Sequence, residues 1–518
     1  MNNNQHANMA KAAMALSLIS IVTLIFSFFK ESIFAYYYGA SSLTDAFNVS
    51  IQIPTILFSL ISTAISNVAL PFYSKELISK SKNDAEKYIS NLMTIISILT
   101  IIIIIICEIG AKYVIFIFAP GLNENIQGIA VLLFRIVLPT ILLTEMMNIN
   151  TAILNVHKSF VLPSLMSIIL NVTFVSCITL LIDNVGIYAA VFGIVIGTCI
   201  EFIYSLFLRR KYVKYKFICN IKDKNMISST KKSIPVFIGI GADEINKLVD
   251  GAVSSFLKEG SISTLSYALR LTTAISTLFI SGITTVVYPE FAESAAKKDD
   301  KRMAESFQFS IKMLILILAP LIFGGFLLSN EIITIVFRRG AFDISDVYRT
   351  APLFSCYLVC LMFTAFRQVS SRAFYSYGDT KTPMRNSIIG ITINIILDIV
   401  LSKVFGALGL ALATTISAFV ISFLLFNDIK KKNKHIRYKE MFLMIFKTIV
   451  SCFVMMLVIK LILTYMKSIG FYQLNSFLRT AVVTIICIIL GGIVYVITLF
   501  IIRTKEIRDL IRMFLKRR

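Results

Sequence analysis

The sequence predicts an all-α polytopic membrane protein with about fourteen transmembrane helices, organised as two pseudo-symmetric six-helix lobes and two C-terminal helices. Composition, the lengths of the apolar runs and an internal repeat support this prediction. Of the 518 residues, 57% are hydrophobic and 15% are charged, whereas a soluble domain carries about 25% charged residues. This composition excludes a soluble enzyme, a disordered chain and a nucleic-acid-binding module.

The apolar runs have the length of membrane-spanning helices. A helix needs roughly 20 apolar residues to cross a hydrocarbon core about 30 Å thick. The predicted spans are 10–29, 48–73, 88–109, 127–148, 160–182, 186–208, 233–256, 264–288, 309–329, 349–367, 385–404, 408–427, 442–464 and 479–501. Because their number is even, both termini lie on the same side of the membrane.

The basic residues are concentrated in alternate loops. Lys and Arg number 51 against 29 Asp and Glu, which gives a formal net charge of +22. The richest segments are 209–232, 430–439 and 503–518, all on one side of the predicted topology. Cytoplasmic loops accumulate Lys and Arg, so we expect a multi-pass protein of the cell membrane with both termini in the cytoplasm. Anionic membrane lipids account for these segments, and no nucleic-acid partner is expected.

The chain matches itself weakly at an offset of about 220 residues. The aligned pairs are Gly39 with Gly260, Asn171 with Asn394, and Gly186 with Gly409. A unit of six helices keeps its orientation when it is repeated, so the symmetry axis runs along the membrane normal. We therefore predict an N-lobe at 1–215, a C-lobe at 216–430, and helices 13 and 14 with a basic cytoplasmic tail at 431–518.

Charged residues inside apolar runs are candidates for function, since a charge at the bilayer centre costs roughly 2.5–3.5 kcal/mol on insertion scales. Lys30 and Arg270 occupy early positions of elements that the repeat makes equivalent. We expect them to face each other across the cleft between the lobes, where two cations suit a phosphate or pyrophosphate. Glu31 and Asp45 would pair with them when the cavity is empty. The structural alternative is that Lys30 snorkels to the interface and Arg270 pairs with a neighbouring acid.

A second set of residues is rich in oxygen. Asn394 and Asp398 lie four residues apart, on one face of a helix. With Thr414 and Asp250 they suit a hard monovalent cation such as Na+, or a proton. The first repeat has Val175 where the second has Asp398, so the shared fold does not require the acid. The alternative is an aspartate satisfied by hydrogen bonds between helices.

The remaining intramembrane charges are less specific. Glu145 in the fourth span is a further candidate, and Asp243, Glu244 and Lys247 in the seventh span are compatible with the lining of a water-filled cleft. The eight cysteines have no metal-ligand spacing with histidine, and neither a phosphate-binding G-x-x-x-x-G-K-[ST] motif nor a catalytic triad occurs. We expect no enzyme activity, and no cofactor apart from a coupling Na+ or proton.

Five stretches carry a family resemblance. They are Phe29–Glu31 with Tyr38–Ala40, Thr44–Phe47 and Pro54; Ala152–Asn155 with Phe160 and Pro163; Gly260–Ser263 with Tyr267–Leu271; Phe337–Phe342; and Arg372–Tyr375 with Gly378–Pro383. Over about residues 10–430 the chain resembles the MurJ/MviN family of the multidrug/oligosaccharidyl-lipid/polysaccharide (MOP) exporter superfamily. The resemblance implies a flippase that moves lipid II, the undecaprenyl-pyrophosphate-linked peptidoglycan precursor, from the inner to the outer leaflet by alternating access for cell-wall synthesis.

The resemblance also implies particular sites and partners. It implies two lobes around a cationic cavity, a prenyl-tail groove formed by helices 13 and 14, and a Na+ site in the second lobe. The residues that fall at this Na+ site are Asp250, Asn394, Asp398 and Thr414. The expected partners are a polyprenyl-pyrophosphate-linked glycan, membrane lipids and cell-wall synthases. The sequence shows no sign of an obligate oligomer, so we expect a monomer.

The chain departs from the family pattern at several charged positions. The usual Arg-Asp pair is Lys30-Glu31, two positions that commonly carry arginine hold Leu24 and Phe58, and the acid usual in the eighth span is Thr273. Three alternatives stay open: a flippase for another polyprenyl-linked oligosaccharide, a drug/cation antiporter of the same superfamily, and a non-transporting scaffold for glycan synthesis.

Overall fold

The computed structural model describes residues 3–64, 73–74, 76–77, 82–157, 159, 161–223, 227, 241, 243–472, 474 and 476–504. In these residues the regular structure is helical and no β-strand occurs. The helices are α1 (Asn3–Tyr38), α2 (Ser42–Ala64), α3 (Lys82–Ile109), α4 (Ala111–Phe118), α5 (Glu124–Val137), α6 (Thr140–Val156), α7 (Val161–Ser164), α8 (Met166–Val185), α9 (Tyr188–Arg209), α10 (243–255), α11 (Ser261–Ala296), α12 (Asp300–Leu327), α13 (Ser329–Phe337), α14 (Ile344–Ser376), α15 (Lys381–Phe405), α16 (Ala407–Lys432), α17 (Tyr438–Ser468) and α18 (Phe477–Ile501).

Twelve helical segments of the described chain are long and apolar enough to cross a membrane. They coincide with twelve of the predicted spans, so an all-helical multi-pass protein is confirmed. The other two predicted spans are described only in part. The span at 48–73 overlaps α2, but residues 65–72 lie outside the described chain. The span at 233–256 overlaps α10, and residues 233–240 lie outside, so fourteen helices stays a prediction.

The first helix is longer than the predicted span at 10–29, because α1 continues to Tyr38. Phe34 and Ala35 are fully buried, so these last turns present an apolar face to the protein. The helix ends at Gly39, whose φ of +58° is unfavourable for residues with a Cβ. Lys30 and Glu31 therefore lie within α1 and not at its end.

The backbone has the same conformation at one glycine in each predicted repeat. Gly186 follows α8 and Gly406 follows α15, with φ values of +57° and +58°. Each glycine N–H donates to a carbonyl four residues earlier at 2.9 Å, Ile182 in the first case and Ser402 in the second. The shared conformation pairs Gly186 with Gly406 at an offset of 220.

The sequence alignment pairs Gly186 with Gly409 instead, and the register of the repeat stays a prediction. The register set by Gly186 and Gly406 pairs Asp398 with Ile178 and not with Val175. Ile178 is an apolar residue, so the first repeat still lacks the acid. The two-lobe symmetry itself stays a prediction.

The chain divides into two compact units. Unit 1 comprises Met1–Ser263 and Arg339–Ala341. In its core, α3 and α6 pack around Met93, Ile149 and Ile153, and α6 also packs against α2 and α9.

Unit 2 comprises Thr264–Arg338 and Phe342–Arg518. Its core includes Cys452 and Met455 of α17 together with Cys487 of α18. Gly491 lets these two helices approach closely, because a Cβ there would lie 2.9 Å from Cδ1 of Ile459. The lobe boundaries expected at residues 215 and 430 are not tested by this division and stay a prediction.

Candidate substrate and cation sites

Lys30 lies on α1 in unit 1 beside an acid and an aromatic ring. Its Nζ is 3.3 Å from Oε1 of Glu31, and its side chain is 24% exposed. The same Nζ lies 5.3 Å from the centroid of the Phe174 ring, within the range of a cation–π contact. Lys30 is therefore oriented and partly neutralised, and it retains access to a ligand.

The Phe337–Phe342 motif supplies a loop that closes over the end of α1. Residues 339–341 belong to unit 1. Arg339 Nη1 donates to Oγ of Ser32 at 3.2 Å, and the Ala341 N–H donates to the carbonyl of Tyr36 at 2.7 Å. The sequence of this motif gives no indication of the contact with α1.

Asp45 at the start of α2 caps another helix. Its Oδ2 accepts from the Gly260 N–H at 2.7 Å, and its Oδ1 accepts from the N–H and the Oγ of Ser263 at 2.7 and 2.5 Å. The side chain is only 3% exposed. The first N–H groups of a helix have no partner within the helix, so Asp45 satisfies two of them at the N-terminus of α11.

Arg270 lies in the third turn of α11 and belongs to unit 2. It is half-buried. Tyr267, one turn earlier, is buried with its ring centroid 4.9 Å from that of Phe337 and 5.4 Å from that of Phe342. This aromatic cluster anchors the turn that carries Arg270. Lys30 belongs to unit 1, so the expected approach of the two cations stays a prediction.

The predicted cation ligands are divided between the units. Asn394 and Asp398 of α15 and Thr414 of α16 belong to unit 2, and Asp250 of α10 belongs to unit 1. Asp250 Oδ2 accepts from Nδ2 of Asn246 at 3.4 Å. Thr414 Oγ1 donates to the Leu410 carbonyl at 3.0 Å, which leaves the lone pairs of its oxygen for a ligand.

Asn394 and Asp398 have the burial and chemistry of a cation site. Asn394 is 2% exposed and Asp398 is 0% exposed. The buried Nδ2 of Asn394 has no hydrogen-bond partner in the described chain. Amide oxygen and nitrogen exchange positions on a 180° flip, so this site equally offers a buried carbonyl oxygen beside a buried carboxylate. These oxygens fit a hard cation such as Na+.

An apolar groove of about 620 Å³ lies in unit 2 between α12, α14, α16 and α17. Its lining includes seven phenylalanines, at Phe323, Phe363, Phe366, Phe419, Phe423, Phe426 and Phe442. The family resemblance implies a groove formed by helices 13 and 14, which are α17 and α18. Of these two helices only α17 contributes to the lining of this groove.

The fold is similar to that of a solved transporter structure. The inward-facing structure of a multidrug resistance MATE family transporter of the MOP superfamily aligns with a TM-score of 0.68 and covers 82% of this chain and 98% of that one. The sequence identity is 12%, so this likeness concerns the fold alone.

The family model of the lipid II flippase MurJ matches residues 34–482, and the chain belongs to this family. A probable lipid II flippase MurJ of Borreliella burgdorferi is 27% identical over 499 residues, which are 95% of this chain and 96% of the relative. The lipid II flippase MurJ of Burkholderia cenocepacia is 24% identical over 436 residues, covering 82% and 84%. The inward closed structure of the lipid II flippase MurJ aligns with a TM-score of 0.79 at 26% identity and covers 94% of this chain and 100% of that one.

Proposed function

We propose that this protein is a lipid II flippase that moves the precursor from the inner to the outer leaflet of the bacterial inner membrane. The match of the MurJ family model to residues 34–482 is the observation that carries the proposal. The relatives align over most of their own length, and twelve helices of the described chain can span a membrane.

The pyrophosphate of the substrate engages Lys30 and Arg270. Arginine presents a planar fork that binds phosphate oxygens in pairs, and charge-assisted hydrogen bonds of this kind are strong. Lys30 is held by Glu31 at 3.3 Å, and a pyrophosphate would compete with that carboxylate for the ammonium group. Two cations then balance the substrate charge in a partly dehydrated cavity.

Asp45 acts on this site through the backbone. Its two carboxylate oxygens are engaged by Gly260 and Ser263, so it orients the first turn of α11. Arg270 follows on the same helix. We therefore assign Asp45 a positioning role, and its removal should change the placement of Arg270 without removing a charge from the substrate contact.

The prenyl tail lies in the apolar groove of unit 2. An isoprenoid chain offers only hydrocarbon, and ligand sites of this kind are concave and lined by apolar and aromatic side chains. The groove between α12, α14, α16 and α17 has this character over about 620 Å³. Tail binding at one site and pyrophosphate binding at another would select polyprenyl-linked lipids over ordinary phospholipids.

Asp398 and Asn394 couple transport to a cation. Bound Na+ would supply a positive charge that responds to the membrane potential, worth about 2.3 kcal/mol per charge per 100 mV. Asp398 provides the negative charge of the site, Asn394 and Thr414 provide neutral oxygens, and Asp250 is a further candidate ligand.

Both termini lie in the cytoplasm, in agreement with the concentration of Lys and Arg in alternate loops.

Transport of labelled lipid II by the protein reconstituted in vesicles tests the proposal. We expect translocation by the wild type, a loss of at least about tenfold with Arg270→Ala, as for a charge-assisted contact worth 1.4 kcal/mol or more, and partial activity with Arg270→Lys. Arg302→Ala is the matched control, because Arg302 pairs with Glu290 and Glu293 in an exposed position. Wild-type rates for Arg270→Ala would refute the role of Arg270, and no translocation by the wild type would refute the function.

The same vesicles distinguish the alternative substrates. The family arginines that are replaced by Leu24 and Phe58 favour testing another polyprenyl-linked oligosaccharide beside lipid II. Faster transport of that lipid would identify it as the substrate in place of lipid II, and the protein would still be a flippase. Transport of a cationic drug without either lipid would identify a drug antiporter.

A further inference from the structure

Glu145 is a carboxyl group enclosed in the middle of unit 1. It lies on α6 in a segment that spans the membrane and is 0% exposed. Neither Oε1 nor Oε2 has a hydrogen-bond partner within the described residues. The candidate sites for pyrophosphate and cation do not use this residue.

Within the part of the chain that the structure describes, the helices packed against α6 bring no compensating positive charge to the level of Glu145. On α2 the charged residue is Asp45, which is engaged by Ser263. On α3 the charges lie at the two ends, in residues 82–87 and at Glu108, which pairs with Arg135 of α5.

The third neighbouring helix, α9, carries one more acid and one arginine. Glu201 is also buried. Arg209 lies at the C-terminal end of α9, where its Nη1 contacts the sulfur of Met93 at 3.3 Å. Among the described residues no Lys or Arg forms an ion pair with Glu145.

The charge state of Glu145 follows from its surroundings. Burial of an ionised carboxylate costs several kcal/mol even after the protein relaxes, and hydrogen bonds or an opposite charge must offset that cost. Glu145 has neither in the described chain. The protonated acid is neutral, and its burial costs far less solvation free energy. Glu145 therefore holds a proton in this conformation.

We propose that Glu145 is a proton-binding site of unit 1, loaded in the conformation described here and released when α6 separates from α2, α3 or α9. Burial between these helices means that the proton can exchange with water only after the helices move, which ties proton release to a conformational change. The site is separate from the cation candidates of α15 and α16. Its link to transport rests on the proposed function, whereas proton binding itself does not.

Proton binding is tested on the purified full-length protein in lipid nanodiscs by infrared spectroscopy of protonated carboxyl groups. We expect the wild type at neutral pH to show a buried protonated carboxyl that Glu145→Gln removes and that Glu108→Gln, the matched control with a salt-bridged acid, retains. Addition of lipid II in weakly buffered medium should release one proton per chain in the wild type and none in Glu145→Gln. Glu145→Asp keeps an ionisable group and should keep the signal at a shifted frequency, which covers the case in which Glu145→Gln fails to fold.

Three outcomes would overturn the proposal. The signal could persist in Glu145→Gln, disappear in Glu201→Gln instead, or remain unchanged in the wild type at every pH and with substrate, as for a permanently neutral acid.

In vesicles, the flipping rate of the wild type should depend on pH by up to about tenfold per unit, and that of Glu145→Gln should not. A protein that shows the Glu145 signal and releases its proton on raising the pH, but moves no lipid II, would keep the proton site and refute the flippase function.

Discussion

The carboxylate of Asp45 accepts a hydrogen bond from the backbone N–H of Ser263 at 2.7 Å, across 218 positions of sequence. The start of α2 thereby caps the start of α11, the helix that carries Arg270. From the sequence, Asp45 is expected to pair with the cations of the substrate site when the cavity is empty, and this stays a prediction. The structure describes it as a helix cap whose oxygens are already engaged.

Replacement of Asp45 should destabilise the protein. Asp45→Ala leaves the buried N–H groups of Gly260 and Ser263 without acceptors, at a cost of about 1–3 kcal/mol for each group. Thermal unfolding in detergent should therefore begin at a clearly lower temperature. Asp84→Ala is the control, because the Asp84 side chain is 46% exposed and its pairing with Lys87 at 3.9 Å is weak. Equal stability of the two variants would contradict the capping role.

Gly340 of the Phe337–Phe342 motif supports one tight contact with Tyr36. Gly340 has a φ of +55°, and a Cβ there would overlap the Tyr36 carbonyl oxygen. Gly340→Ala should lower the free energy of unfolding by more than the roughly 1–2 kcal/mol that a left-handed conformation alone costs an alanine. Gly378→Ala is the matched control, with a φ of +74° and open space around its Cβ. Unfolding temperatures that fall equally in both variants would show that the contact with Tyr36 contributes nothing.

A large side chain in the groove should slow transport according to tail length. Val359 lines the groove on α14, so Val359→Trp would occupy space that a long prenyl chain needs. We expect slower flipping of the full-length lipid and unchanged flipping of a short-chain analogue. Val454→Trp on the exposed face of α17 controls for the added bulk. A rate loss that is independent of tail length would argue against the groove as the tail site.

Neutralisation of Asp398 should abolish cation coupling. Asp398→Asn keeps the size of a fully buried side chain and removes its charge. Flipping by this variant should no longer respond to Na+, whereas Asp183→Asn, at an exposed acid of α8, should respond as the wild type does. If Na+ dependence survives in Asp398→Asn, the coupling site lies elsewhere.

The cap of α14 should make a small contribution to stability that depends on pH. Asp343 accepts from Oγ of Ser345 at 2.7 Å and from the Asp346 N–H at 3.0 Å, and these bonds lower the pKa of its carboxyl group. A lowered pKa in the folded state stabilises the protein above the unfolded pKa, and this contribution disappears as the pH falls through the folded value. In unfolding experiments at decreasing pH, Asp343→Ser should keep a capping oxygen and lose this part of the acid sensitivity. The same acid profile in both proteins would refute the contribution.

The membrane-spanning helices were predictable because hydrocarbon imposes a length and a composition on each one. Twelve of the predicted spans match helices of the described chain. The end of α1 was not predictable from hydropathy, since Lys30 and Glu31 interrupt the apolar run and compensate each other only as a pair. The internal repeat stays a prediction, and the structure adds that Gly186 and Gly406, which the sequence alignment did not pair, share one backbone conformation.

The sequence by itself determined the class of the protein, its helices and the identity of the charged residues that the membrane makes costly, because each of these follows from local composition. Only the tertiary structure decided what those charges contact. It engaged Asp45 with Ser263, enclosed Glu145 without a partner in the described chain, and formed the apolar groove from α12, α14, α16 and α17. The physical reason is that the free energy of a buried polar group depends on the atoms that surround it, and those atoms come from segments far apart in the chain.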